Sequence, residues 1–136
     1  MEETERKDFR AWVSSTVAAL RNYMYLDNWR VDLIWESQPS DDEPGVAAHI
    51  DTATAYFQAA LYIVPRLEEI YKEDGKPRVA EILTHELCHL ITEPLYEMAC
   101  DQSAPALRKH LNTVREQTTQ MMAICVFRGI PENLYQ

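Results

Sequence analysis

The run His85-Glu86-Leu87-Cys88-His89 constrains this chain more than any other feature, because two histidines four apart point the same way only on an α-helix. Pro77 stands where a first-turn proline stands, and Val79, Ile82, Leu83, Leu87, Leu90 and Ile91 recur at helical spacing, so the pattern predicts a helix from Pro77. Pro94 disfavours helical geometry at Glu93 and should end it near Thr92. On such a helix both imidazoles can reach one metal ion at the roughly 2.0–2.1 Å that zinc requires. Glu86 is turned about 100° from His85, placed to take a proton from a water the metal activates without binding the metal itself. The chain has only 4 His in 136 residues, and a shuffled chain shows this pattern about once in 100. Cys88 occupies a variable position of the motif and reads as a small packing residue.

A catalytic zinc needs a third protein ligand and an open position. The extended HExxHxxGxxH pattern is excluded, since Thr92 stands where the glycine would be and Leu95 where the third histidine would be. The candidates are Glu93, Glu97, Cys100, Asp101, His110 and Glu116. Glu93 and Glu97 follow the motif so closely that reaching back demands a tight reversal through Pro94. Glu116 lies within a long final helix, roughly Ala106 to Phe127, which an antiparallel course would bring back to the metal. We therefore expect His85, His89 and Glu116 to be the ligands. Glu116 shares its helical face with Asn112, Thr119, Gln120 and Ala123, while the stripe Leu107, Leu111, Val114, Thr118, Met121 and Cys125 should pack elsewhere. Beyond Met121 the helix is apolar all round, which predicts a buried end.

Upstream, Phe9, Trp12, Val13, Val17, Leu20 and Met24 recur every three or four positions, predicting an amphipathic helix from Thr4 to about Asp27. Trp29, Val31, Leu33 and Trp35 alternate with Arg30, Asp32, Ile34 and Glu36, the period of a half-buried strand. Gln38 to Gly45 is acidic, broken by two prolines, and should be a solvent loop. Val46 to Asp51 is a weaker strand, Asp51 to Thr54 a turn, and Tyr56 to Val64 a third strand ended by Pro65. The whole, residues 1–136, reads as a single α+β domain.

This order of elements, with the segments VAEILTHELCHLI and VREQTTQMMAICVF, resembles a minimal zincin metallopeptidase of the gluzincin type. It is similar in size and order to the small HExxH proteins common in phage and prophage genomes. The resemblance implies one Zn²⁺ held by His85, His89 and Glu116, with Glu86 as general base, and an extended peptide or protein substrate paired along Tyr56 to Val64 as an edge strand. Glutamate helices of this type commonly carry an acidic residue four positions after the ligand to orient the first histidine. Gln120 stands there instead, able to hydrogen-bond an imidazole but raising its basicity less. Tyr96, His110 and Tyr135 are the candidate oxyanion donors.

The expected activity is therefore zinc-dependent hydrolysis of peptide bonds. A catalytically silent zincin-like module that holds metal for a binding or assembly role is the alternative, and a metal-free helical interaction protein is a third. Other classes are excluded on composition. A net charge of -9 and a pI near 4.8 oppose nucleic-acid binding. Apolar runs such as Met121 to Phe127 are far shorter than the roughly 20 residues a membrane span needs. Three glycines leave no phosphate-cradling loop, and three cysteines without a CxxC pair argue against a disulfide framework. With no apolar signal-peptide core in MEETERKD, the expectation is a cytoplasmic protein without a membrane segment.

Overall fold

A computed structural model describes residues 1–39, 43 and 45–136. The expected loop from Gln38 to Gly45 falls partly on residues 40–42 and 44, outside the described residues. Three α-helices and a three-stranded mixed sheet make an α+β fold.

Helix α1 (Glu3–Tyr23) buries Phe9, Val13, Val17 and Leu20, the face its periodicity marks. Tyr25, with φ of 57°, turns left-handed and ends the helix short of Asp27. Strand β1 (Arg30–Trp35) alternates as expected, with Val31, Leu33 and Trp35 toward the core and Arg30, Asp32 and Ile34 exposed. Strands β2 (Ala48–Ala53) and β3 (Gln58–Ile63) complete the sheet in the order β1-β3-β2.

The sheet corrects one expectation. The segment Tyr56 to Val64 is not an edge strand: Thr54–Tyr56 form a 3₁₀ turn, and β3 lies in the centre, parallel to β1 and antiparallel to β2. The reason is burial. Ala59, Leu61 and Ile63 are the inward residues of β3 and all are buried, and a strand so apolar is best placed where both ladders are satisfied and both neighbours cover it. Among the described residues β1 and β2 are each paired on one side only, and β2 is the one nearer the motif.

Helix α2 (Arg66–Gln102) is longer at both ends than expected. Leu67 and Ile70 anchor a first arm in a stretch that reads as merely polar. Gly75 breaks the helix with φ 81° and ψ -173°, and Pro77 then opens the second arm in the first-turn role expected of it. The second arm does not stop near Thr92 but continues through Pro94. The local bias against helix at Glu93 is overcome by contacts across to the next helix, described below. Leu83, Leu87 and Leu90 are at most 2% exposed, packed with α1 and the inner sheet face in the main core.

Helix α3 (Arg108–Gly129) follows a 3₁₀ turn at Pro105–Leu107 and runs antiparallel to α2, since partners of rising number on α2 meet falling numbers on α3. Its packing reverses the expected stripe. Leu107, Val114 and Met121 are 51%, 42% and 69% exposed and Cys125 is exposed, whereas Thr119 and Ala123 are buried. The polar-lined face turns inward because its hydroxyls and amides find partners on α2, which removes the penalty of burying them. The helix end is accordingly half-wrapped: Val126 and Phe127 reach the core and Met121 does not. Among the described residues no helix is long and apolar enough to cross a membrane.

Candidate metal centre

The second arm of α2 places its apolar positions in the core, which leaves His85, Glu86 and His89 on the side turned toward α3 and β2. Cys88, beside His89 in sequence, is wholly buried, and burial pushes its thiol up to about 12. It is a packing residue, as its position in the motif suggests.

The antiparallel course of α3 brings Glu116 to the two imidazoles. His85 Nε2 lies 3.9 Å from Glu116 Oε2, and His89 Nε2 lies 3.8 Å from Glu116 Oε1. One ligand atom from each of the three residues falls within 4.8 Å of the others. The ligand atoms of a tetrahedral zinc with bonds near 2.1 Å stand about 3.4 Å apart, so a small inward shift of these side chains suffices to close them on one ion. Two imidazole nitrogens and a carboxylate oxygen are also the donor types zinc takes.

A polar group stands behind each histidine, on the ring nitrogen away from Glu116. Gln120 Oε1 accepts from His85 Nδ1 at 2.7 Å, which leaves the Nε2 lone pair directed at the centre. Glu93 Oε2 is 3.9 Å from His89 Nδ1. Burial, then the neighbouring charges of His85 and Arg115, lower the His89 pKa to about 4, so its imidazole is neutral near pH 7, as a metal ligand must be. Glu86 is half-buried in the same cleft, and desolvation followed by the nearby Glu116 carboxylate raises its pKa to about 8.

The remaining candidates divide clearly. Glu93 does not point to the centre as a ligand but pairs with Arg115, whose Nη1 donates to its two oxygens at 2.9 and 3.2 Å. Glu97 accepts from Thr54 Oγ1 at 3.0 Å on the cleft wall. Cys100, Asp101 and His110 are absent from the cleft lining. Tyr135 is not an oxyanion donor at this site: its ring stacks on Phe127 and it is buried in the core, where its carbonyl accepts from Trp12 Nε1 at 3.1 Å. Tyr96 lies beneath the Arg115 guanidinium, 4.1 Å from it.

Sequence reasoning missed Arg115 and the pair Thr92–Thr119, whose hydroxyls meet at 2.8 Å in the buried helix interface. Neither has a pattern of its own; only the register of α3 on α2 reveals them. It also missed β2 as a wall of the site. Residues Ala48 to Thr52 line one side of a cleft of about 870 Å³ whose floor holds His85, Glu86, His89 and Glu116. A smaller cavity of about 300 Å³ adjoins it past His85 and Glu86, walled by Val46, Ile70, Ile82, Ala123 and Ile124. No protein-family model, curated protein or solved structure matches this chain.

Proposed function

We propose that the protein is a zinc-dependent metallopeptidase of zincin type, with His85, His89 and Glu116 as ligands and Glu86 as general base. The observation that carries this reading is the convergence of the three ligand atoms within 4.8 Å, in a cleft that also holds Glu86 and is bordered by an edge strand. When bound, zinc supplies a Lewis acid that acidifies water and polarises a carbonyl. Glu86 takes the proton of the attacking water and delivers it to the departing amine nitrogen. For that it must be ionised, and a dication among the ligands opposes both causes that raise its pKa. His89 stays neutral, and the two imidazoles are aimed through Gln120 and Glu93. An extended peptide substrate lies along β2, whose outer backbone groups offer main-chain pairing, in place of the central β3.

Metal analysis of protein purified without chelator tests the reading. The expected result is one zinc per chain, lost in His85→Ala, His89→Ala and Glu116→Ala, and retained in Glu86→Gln, which no longer cleaves peptides. Glu97→Ala and Asp101→Ala should keep their zinc, and Asp101→Ala its activity as well. Wild-type protein that neither carries nor takes up zinc overturns the proposal. One observation favours the silent alternative: none of the three candidate oxyanion donors, Tyr96, His110 and Tyr135, lines the cleft. Zinc-loaded protein that cleaves no member of a diverse peptide library would decide for a metal-holding module.

A further inference from the structure

We infer that Arg115 is a positioning residue of this centre, aiming Glu93 at His89 and steadying Glu116 toward both imidazoles. The inference rests on the metal-site reading above. Arg115 spans the two helices at the level of the site. Its Nη1 donates to both Glu93 oxygens at 2.9 and 3.2 Å, and its Nη2 donates to Asn112 Oδ1 and stands 3.5 Å from Glu116 Oε1. The guanidinium plane rests over Tyr96. Four neighbours thus fix it from different directions, a task that suits a planar fork and not the point charge of a lysine.

Glu93, so held, puts Oε2 3.9 Å from His89 Nδ1, the ring nitrogen opposite the one facing Glu116. Negative charge there favours the proton on Nδ1 and frees Nε2 for a metal. His85 receives the same service from Gln120, so the two histidines are oriented by different means, one by a neutral amide and the other by a carboxylate that needs Arg115 to hold it. Ion pairing with Glu93 and Glu116 accounts for Arg115 in the metal-free protein but not beside a bound dication. Among the described residues its Nε is buried without a hydrogen-bond partner, and a cation beside a cation site is electrostatically adverse.

That adverse charge makes the test discriminating. Zinc affinity is measured by competition with a chromophoric chelator, alongside the unfolding midpoint of the metal-free protein. Positioning predicts that Arg115→Met weakens zinc binding about 10- to 100-fold and that Arg115→Lys does not restore it. Removal of a mere repelling charge would tighten binding, and loss of a purely structural contact would lower the midpoint but leave the folded protein's zinc affinity unchanged. Glu93→Gln, which keeps the side-chain shape, should weaken zinc binding too, and adding Arg115→Met to it should cost less than in the wild type, because the two act along one path. Unchanged or tighter zinc binding in Arg115→Met, beside a wild type that binds zinc, overturns the role of Arg115 and leaves the metal-site reading standing. A wild type that binds none overturns both. Should Arg115→Met fail to fold, Glu93→Gln decides alone, and full zinc affinity there overturns the inference.

Discussion

Glu86 and His89 sit three residues apart on one helix, and the cleft shifts them in opposite senses. Glu86 rises from 4.5 to about 8, and Glu93 is also raised, chiefly by burial against the opposing pull of Arg115. His89 falls from 6.5 to about 4. Between pH 4.5 and 8 the folded metal-free protein holds a proton on Glu86 that the unfolded chain has released, so stability is lost as pH rises through that window. Between pH 4 and 6.5 the unfolded chain binds a proton at His89 that the folded state refuses, so stability is lost as pH falls. In chelator, the denaturation midpoint should therefore climb from pH 8 to about 6.5, flatten to about 4.5 and then decline. Glu86→Gln should remove most of the climb, and an unaltered climb in that variant would contradict the assignment. At this scale much was legible. The histidine spacing put His85, Glu86 and His89 together on one side of α2 because helix geometry is rigid over four residues. Glu116 followed only from the assumption that the next helix runs back, and Arg115 was hidden because an arginine one position before a glutamate carries no pattern.

Helix α2 shows how a break and a continuation can be confused in a sequence. Gly75 and Pro77 mark a real interruption, and Pro94, which looks like a stronger one, does not. The difference lies in what surrounds each. Around Pro94 the helix is tied to α3 through Thr92–Thr119 and Glu93–Arg115, and tertiary contacts override a local bias. At Gly75 the backbone has φ 81° and ψ -173°, a conformation open almost only to glycine. A Cβ there would meet Pro77 Cδ at 3.7 Å, ordinary contact, so the penalty is conformational and not steric crowding. Gly75→Ala should cost about 1–3 kcal/mol, read as a lower denaturant midpoint with unchanged slope. No loss of stability would mean that the interruption can close into a continuous helix. The strands were legible where alternation marks a face, but strand order was not, since period two says which side is buried and nothing about which strand is central. The stripe on α3 misled for a related reason: hydropathy ranks side chains one by one, whereas Thr119 is buried because it bonds Arg115 O and Thr92 together.

Across the whole molecule, the candidate centre joins two unequal bodies. One is the core of sheet, α1 and α2; the other is α3, whose outer face of Val114 and Met121 is exposed. Near its end α3 is fastened to α1, where Tyr23 Oη donates to Gly129 O at 2.8 Å, and to the core through Phe127. Its first half is held to α2 through Arg115–Glu93 and, just beyond, through Thr119–Thr92 and Gln120–His85, and Arg115, Glu116 and Gln120 all lie there or just beyond. Detaching that half exposes little buried apolar surface, so it belongs to the low-energy end of the local opening reactions by which proteins exchange their amide hydrogens. In the proposed metal form, opening cannot occur without breaking the bond to Glu116. Zinc should then slow deuterium uptake at residues 108–121 far more than in the sheet, and the rate at which a chelator strips the ion should match the exchange rate of those amides. The residence time of the metal would be set by the fraying of a helix, not by the strength of its three bonds alone.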